Sequence, residues 1–388
     1  MSDAGHSTRA DVVIIGAGPA GSTAAILLAA RGYRVALLEK AHHPRFHIGE
    51  SLLPANRPLF EQLGIAERVR AIGMLKWGAE FVSPWHGRSE VFEFASARNP
   101  ELPFSYQVRR SQFDEILIRR AAECGATVVE GCRAREVELE RPDGGVRVVA
   151  EHEDGSKSAW QARFLIDASG RDTFLANHLH VKHRNPRHNS AAIYAHFAGV
   201  ERRAGKRAGD ISIYWFEYGW FWLIPLADGV TSVGAVVWPH YLKQRRGPMP
   251  EFLLATIARC APLAERLKDA TLASQVEATG NYSYSASLSH GRNYLLVGDA
   301  FAFIDPVFST GVWLAMHGGV AACEAVDTCL RIPARAGAAL RAYDRTTRRG
   351  PRLLSWFIYR VTNPALRDLL MAPRNALRMR DTLLSVLA

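Results

Sequence analysis

The chain has 388 residues, and its 48% hydrophobic content is typical of a globular protein with one large or two moderate cores, which excludes a largely disordered chain. Its five cysteines form no Cys-x-x-Cys pair, which argues against a disulfide framework or structural zinc and favours a reducing, cytoplasmic location. The net charge of +10 is spread over loops and one late arginine cluster, so we expect a solvated basic surface and no nucleic-acid site; an acidic partner is the alternative. The sequence has no run of about 20 apolar residues, so no transmembrane segment is predicted.

A glycine-rich motif follows the first long apolar run. Residues Val12–Ile15 predict a buried parallel strand, and Gly16, Gly18 and Gly21 have the Gly-x-Gly-x-x-Gly spacing at the start of a helix. The three glycines allow a tight turn, the approach of a pyrophosphate and close packing of helix on strand. Glu39 ends the next predicted strand, 18 residues after Gly21, where an acid can bind a ribose hydroxyl. The pattern predicts a dinucleotide-binding βαβ unit; the alternative is a glycine-rich turn without a ligand.

Helices and strands alternate through the first half of the chain. An amphipathic pattern predicts one helix over residues 57–72, and a further helix is predicted over residues 112–124. Phe164–Asp167 is another apolar strand that ends in an acid, and Gly170 follows it. Short strands are predicted at residues 128–130, 136–140 and 146–150, with a hairpin turn at residues 142–145.

In the middle of the chain, the hydrophobic pattern changes to a period of two residues, which is typical of β-strands. Aromatic-rich strands are predicted at residues 211–216, 220–226 and 231–238, and such a meander forms an antiparallel sheet. A single helix is predicted over residues 251–268. The chain then returns to the first pattern, with a strand that ends at Gly298 and Asp299 and a long apolar helix over residues 311–330.

Three strand ends carry glycine, at residues 16–21, 167–170 and 298–299, and the last two also carry an acid, as an FAD-binding fold requires. From residue 11 to about residue 330, the chain resembles the flavoproteins of the p-hydroxybenzoate hydroxylase architecture. The resemblance implies an α/β fold in which a Rossmann-like FAD-binding domain is interleaved with an antiparallel-sheet substrate domain, plus a helical C-terminal segment. It implies FAD contacts by Gly16, Gly18, Pro19, Ala20, Gly21, Glu39, Lys40, Arg45, Ser51, Arg110, Asp299 and Pro306.

The domain limits follow from the same resemblance. We expect the FAD-binding domain at residues 1–80, 107–180 and 285–335. The antiparallel-sheet substrate domain is expected at residues 81–106 and 181–284, and the helical segment at residues 336–388.

Two further stretches narrow the resemblance to one family. Trp220-Phe-Trp222-Leu-Ile224-Pro225 is similar to the W-x-W-x-I-P signature of the flavin-dependent halogenases, although two tryptophans on one face of a strand are ordinarily core residues. In that family, backbone N–H groups at the positions of Thr310 and Gly311 bind halide beside the flavin. A loop that enters a helix here offers unpaired N–H groups and a positive dipole; an ordinary helix cap is the alternative.

Lys76 is the third family feature. Lys76-Trp-Gly78-Ala-Glu-Phe81 is similar to the K-x-G-A-x-F stretch that holds the family's essential lysine. The resemblance implies that reduced FAD, O₂ and chloride or bromide give hypohalous acid, which the lysine holds until an aromatic carbon reacts with it. An amine in an apolar tunnel has a lowered pKa and can bind the acid or form a haloamine with it. The alternative is a lysine in a surface loop.

The resemblance implies an FADH₂- and O₂-dependent halogenase with a separate flavin reductase as partner. Phe308 stands where the tryptophan halogenases have a glutamate that assists attack by a weakly activated ring. This difference favours an electron-rich phenol or pyrrole, free or tethered to an acyl carrier protein. Three alternatives stay open: an FAD-dependent aromatic hydroxylase, a geranylgeranyl reductase-like flavoprotein, and a flavoprotein scaffold without catalysis. Only a halogenase should form a product that depends on halide.

Overall fold

The computed structural model describes residues 7–97, 99–139, 141–142, 144–186, 190–280, 283–360 and 363–372, with residues 379, 382 and 385. The predicted hairpin turn at residues 142–145 and the strand end at residue 140 lie partly outside these residues. The helices are α1 (Pro19–Ala30), α2 (Arg57–Leu63), α3 (Ala66–Ile72), α4 (Arg110–Glu123), α5 (Phe174–His178), α6 (Pro239–Leu242), α7 (Met249–Ala258), α8 (Ala261–Arg266), α9 (Gly311–Arg331), α10 (Ala336–Ile358) and α11 (Pro364–Leu370).

A five-stranded parallel sheet carries the glycine-rich loop. Its three central strands are short apolar runs whose side chains are buried on both faces, as expected for a sheet covered by helices on one side and by a second sheet on the other. Helices α1, α4 and α9 form one cover. In spatial order the strands are Tyr294–Leu296, Phe164–Asp167, Val12–Ile15, Val35–Leu38 and Thr127–Val129.

The second cover is a four-stranded sheet, and two smaller sheets complete this half of the fold. The four-stranded sheet contains Ser7–Arg9, Lys157–Ala162, Val146–His152 and Cys132–Glu138. A three-stranded sheet contains Lys182–Arg184, Tyr284–Ala286 and Ala302–Phe303. A two-stranded sheet pairs Met74–Lys76 with Ser105–Gln107.

An eight-stranded sheet forms the rest of the core. Its alternating side chains enter two clusters, one against α7 and α8 and the other against Phe308 and α10, so both faces are buried. Neighbouring strands are antiparallel except one parallel pair, Ile211–Phe216 with Gly78–Ser83. The sheet order is Thr271–Leu272, Ala191–Ala198, Thr231–Val237, Gly219–Pro225, Ile211–Phe216, Gly78–Ser83 and Arg88–Glu93, and Glu277–Gly280 also pairs with Ala191–Ala198.

Two helices predicted as continuous are interrupted. The predicted helix over residues 57–72 is wrong, because Gly64 takes a left-handed conformation with φ of 68° and ends α2. The predicted helix over residues 251–268 is also wrong. Cys260 leaves the helical region, and Pro262, which has no N–H to donate, sits in the first turn of the new helix α8.

The predicted mixed α/β class is confirmed by this arrangement of parallel and antiparallel sheets and C-terminal helices. The domain limits stay a proposal, and the strand Gly78–Ser83 crosses the expected limit between residues 80 and 81. Within the described part of the chain, no helix is both long and apolar enough to cross a bilayer. The five cysteines are free thiols.

Candidate functional site

The glycine-rich loop is shaped by close backbone contacts. Gly16 has φ of 97°, and a Cβ there would lie 2.4 Å from the carbonyl oxygen of Ala168. A Cβ on Gly21 would lie 1.9 Å from the carbonyl oxygen of Gly16, so helix and strand pack too closely for a side chain. A Cβ on Gly18 would meet only the Arg45 guanidinium, at 3.9 Å. The backbone at Gly18 therefore faces open space, as the approach of a pyrophosphate requires.

Glu39 fixes this loop from the end of the neighbouring strand. Its Oε2 accepts a hydrogen bond from the N–H of Ala17 at 2.8 Å, and its Oε1 accepts one from the N–H of Ala41 at 3.1 Å. Lys40, which was predicted to contact FAD, pairs with Asp172 at the surface. The other two residues predicted from this loop, Pro19 and Ala20, are buried in the first turn of α1.

Two arginines converge on Asp114 beside the loop. Arg110 donates from Nε and Nη2 to the two carboxylate oxygens of Asp114, at 2.8 and 3.0 Å, and from Nη1 to the carbonyl of Ile48 at 3.0 Å. Burial acts to raise the pKa of Asp114, but the charge of Arg110 and its hydrogen bonds hold the pKa below its usual value. Arg45 lies 3.5 Å from Asp114 and 3.7 Å from Glu39, and its Nε is buried without a hydrogen-bond partner. Its Nη2 would lie 3.9 Å from a Cβ on Gly18, so a guanidinium charge faces the open space at Gly18.

Asp299 lies at the end of a parallel strand, in the turn Gly298–Ala300. Burial raises the pKa of its carboxyl to about 6, although Arg110 and Arg171 act in the opposite direction. Pro306 opens a short turn at residues 306–308, just before α9. A Cβ on Gly298, next to Asp299, would lie 3.2 Å from the Cβ of Ala20 in α1 and 3.4 Å from Ala315 in α9, so this turn packs between the two helices.

The start of α9 has the features of an anion site. Thr310 caps the helix and Gly311 is its first residue, so the N–H groups of the first turn have no intrahelical acceptor and the dipole is positive there. Thr310 is 1% exposed, and its Oγ1 has no partner among the described residues. A Cβ on Gly311 would meet no atom within 4 Å, so the space beside it is open.

Lys76 is buried, at 2% exposure, and is not a surface lysine. Its Nζ donates to Ser51 Oγ at 2.9 Å and to the carbonyl of Leu52 at 3.0 Å, and it lies 5.2 Å from the centre of the Phe94 ring. Burial lowers the pKa of Lys76 to about 7, and the nearby charge of Asp210 acts to raise it. Ser51, which was predicted to contact FAD, thus contacts Lys76 in this structure.

Asp210 supports the chain immediately after Lys76. Its Oδ1 accepts the backbone N–H groups of Trp77 and Gly78, each at 2.8 Å. Burial raises the pKa of Asp210, and the two N–H groups and Lys76 oppose that change. The sequence reasoning missed this residue, because its partners lie more than 130 residues earlier and no local motif marks it.

The tryptophan strand Gly219–Pro225 faces the same region of the core. Trp220, Trp222 and Ile224 share one buried cluster with Phe308, and Pro225 is the last residue of the strand. The Trp222 ring occupies the place that a side chain at residue 234 would need, since a Cβ on Gly234 would lie 2.2 Å from that ring. The indole Nε1 of Trp222 donates a hydrogen bond to Ser232 Oγ at 3.2 Å.

The comparisons with known proteins agree on one family. A family model described as an FAD binding domain matches residues 9–353. A tryptophan 2-halogenase of Chondromyces crocatus is 35% identical over 342 residues, which are 86% of this chain and 64% of that relative. A 1H-pyrrole-2-carbonyl peptidyl-carrier protein chlorinase of Pseudomonas fluorescens is 31% identical over 331 residues, 79% of this chain and 73% of that one. The chain belongs to the flavin-dependent halogenases.

A solved halogenase structure supports the same assignment. The myxobacterial chondrochloren halogenase CndH, described as a new variant of FAD-dependent halogenases, has a TM-score of 0.85 at 30% identity, covering 97% of this chain and 91% of that one. The resemblance found in the sequence is therefore confirmed, and the comparisons support the halogenase interpretation over the hydroxylase. The chain spans slightly less than two thirds of the length of the Chondromyces relative, 64%.

The residues of the glycine loop fit FAD. The open space at Gly18, beside the Arg45 guanidinium, suits a pyrophosphate. The contact of Asp299 with a ribityl hydroxyl stays a prediction. One further buried pair was not predicted: His196 Nε2 lies 3.0 Å from Glu50 Oε1, beside Ser51. The Gly49-Glu50-Ser51 sequence was visible, but its histidine partner 146 residues later was not.

Proposed function

We propose that the protein is an FADH₂- and O₂-dependent halogenase that transfers a halogen atom from hypohalous acid to an aromatic carbon by way of Lys76. The observation that carries the proposal is the buried Lys76 amine, whose pKa is lowered to about 7. A neutral amine has two N–H bonds and one lone pair. Ser51 Oγ and the carbonyl of Leu52 accept the two N–H bonds, which leaves the lone pair for the halogen.

Different residues of the core have different roles in the proposed reaction. When bound, reduced FAD supplies hypohalous acid from O₂ and a halide. The first N–H groups of α9, at Thr310 and Gly311, hold the halide. Lys76 Nζ forms an N–X bond with the halogen, and hydroxide leaves and takes the amine proton as water. The aromatic carbon then takes the halogen from nitrogen, and the ring proton restores the amine.

The substrate we propose is an electron-rich phenol or pyrrole, free or carried by an acyl carrier protein. Phe308 is buried against Phe357, with ring centres 5.0 Å apart, so an aromatic side chain occupies the position expected for a helpful carboxylate. A ring with its own oxygen or nitrogen donor needs less assistance. The name of the Pseudomonas relative supports a pyrrole on a carrier, whereas the name of the Chondromyces relative favours an indole.

A separate flavin reductase is the proposed source of reduced FAD. The motivation is the single Gly-x-Gly-x-x-Gly motif, which FAD itself would occupy. NADPH alone should therefore leave the bound FAD oxidised for many turnover times. Rapid bleaching of the flavin absorbance by NADPH without added reductase would contradict this partner.

The substrate proposal is tested by a panel assay with a supplied reductase. Matched phenol acid, pyrrole acid and free tryptophan are each incubated with chloride and with bromide, and products are detected by mass spectrometry. We expect halide-dependent products from the phenol or pyrrole and little from tryptophan. Efficient turnover of tryptophan would replace the proposed substrate class with the indole, and product formed without halide would favour a hydroxylase.

A further inference from the structure

One face of α10 carries a row of unpaired arginines. Its members are spaced by three or four residues, so they lie on the same side of the helix. They are exposed, and no ion pair among the described residues involves them, whereas Arg348 beside them pairs with Asp344 at 2.7 Å. Trp356 continues the row and is 59% exposed. We call this surface the arginine face: Arg341, Arg345, Arg349, Arg352 and Trp356.

Folding does not account for this arrangement. Arginines four residues apart repel each other, and no carboxylate on the described surface compensates Arg341, Arg345 or Arg349. The apolar side of α10 is turned inward and buried, through Leu340, Tyr343 and Phe357 among others. The arginine face therefore opposes stability slightly and is free to meet an anionic partner.

The position of α10 connects this surface to the candidate site. Phe357, on the inner side of the helix, packs on Phe308, two residues before Thr310. A cavity of about 300 Å³ is lined by Trp313 and His317 of α9, by Arg349 of α10 and by residues 298, 301 and 302. A partner on the arginine face would thus stand outside the helix that covers the site, beside a cavity that reaches the first turn of α9.

We propose that the arginine face docks an acidic carrier protein domain whose tethered aromatic acid is the halogenation substrate, with the tether lying in the cavity lined by α9 and α10. The inference rests on the proposed function. Arginines are suited to carboxylates on a folded acidic surface, and they would steer its approach in a salt-dependent way. A membrane is a poorer match, because most large apolar side chains of α10 are buried in the protein and only Leu353 and Trp356 are exposed.

Binding is measured directly, with no turnover. The probe is a fluorescent, acidic peptidyl-carrier domain loaded with pyrrole-2-carbonyl, titrated with the FAD-loaded protein at low and high salt. The test variant is Arg341→Glu/Arg345→Glu/Arg352→Glu. The matched control is Lys243→Glu/Arg245→Glu/Arg246→Glu, which changes the net charge equally in an exposed loop remote in sequence. Parallel titrations use phosphatidylserine vesicles and a short DNA duplex.

We expect the test variant to bind the carrier domain about tenfold or more weakly, the control to bind like wild type, and salt to weaken wild-type binding. Both variants should halogenate the free acid at the wild-type rate, which shows that they fold. No carrier binding by wild type, equal loss in both variants, or tighter arginine-dependent binding of vesicles or DNA would overturn the proposal. An inactive wild type that still binds the carrier domain would contradict the proposed function alone.

Discussion

Two neighbouring glycines of the nucleotide loop have opposite surroundings. Gly18→Ala places a Cβ in open space, so we expect the free energy of unfolding of FAD-free protein to change by no more than about 0.5 kcal/mol while FAD affinity falls. Gly21→Ala drives a Cβ against the carbonyl of Gly16, 1.9 Å away, and should destabilise the FAD-free protein by about 1–3 kcal/mol. Urea unfolding and FAD fluorescence titration measure both. Equal destabilisation by the two substitutions would contradict the claim that the space beside Gly18 is open.

Asp210 is expected to position Lys76 and to tune its charge. Asp210→Asn keeps an oxygen for the N–H groups of Trp77 and Gly78 but removes the charge that raises the pKa of Lys76. The reactive amine is neutral above its pKa of about 7, so wild-type halogenation should rise as pH increases through about 7. The variant should reach its plateau at lower pH and be several-fold faster than wild type on the acid side.

The control for Asp210 separates charge from structure. Asp210→Ala leaves two buried N–H groups without an acceptor and should lower the free energy of unfolding by about 2 kcal/mol or more. Identical pH–rate profiles for wild type and Asp210→Asn, with both folded, would show that Asp210 has only a structural role.

The sequence alone identified the candidate residues whose proposed role requires one particular type of residue. Lys76, Thr310 and Gly311 were found by motif, and the structure shows that Lys76 is buried. Asp210 and the Glu50–His196 pair were not found, because each joins segments far apart in sequence. Ser51 was assigned to FAD, whereas its hydroxyl contacts Lys76. Such pairings depend on how the sheets pack, which no local pattern records.

Among the elements, α10 is the one that closes the core over Phe308. Phe357→Ala removes a ring that is 9% exposed and packs on Phe308, and we expect a loss of about 3 kcal/mol in the free energy of unfolding. Trp356→Ala, one residue earlier on the exposed side, is the matched control and should change it by about 0.5 kcal/mol or less. Urea denaturation reports both values. A loss from Trp356→Ala as large as that from Phe357→Ala would contradict the orientation of α10.

The short apolar strands were predictable because each is a run of buried residues bounded by glycine or acid. Val12–Ile15 and Phe164–Asp167 have the predicted bounds. The helix breaks at Gly64 and Cys260 were missed because the hydrophobic pattern continues through them, although Gly64 and Pro262 are residues that commonly end or begin a helix. The parallel pairing of Ile211–Phe216 with Gly78–Ser83 was also beyond prediction, because it joins strands separated by more than 120 residues.

At the scale of the whole molecule, we propose that the two large sheets contribute different parts of one reaction path. The parallel sheet supplies the glycine loop and Asp299, and the loop that leaves it leads through Pro306 to the anion site at Thr310. The eight-stranded sheet supplies Asp210 at the edge of one strand and the tryptophan strand, which shares a cluster with Phe308. Lys76 lies two residues before the strand Gly78–Ser83 of this sheet, and its amine contacts Ser51 and Leu52. The central claim is therefore that hypohalous acid is made at one place and used at another, through Lys76.

The most direct measurement separates these two steps in wild type and Lys76→Met, a substitution that fills similar space without an amine. Each protein, with supplied flavin reductase, is assayed for hypochlorous acid with a small diffusible trap and for the aryl chloride by mass spectrometry, with and without chloride. We expect both proteins to form hypochlorous acid only with chloride, and only wild type to form the aryl chloride. Aryl chloride formation by Lys76→Met at the wild-type rate, or loss of hypochlorous acid together with the aryl chloride, would contradict the account.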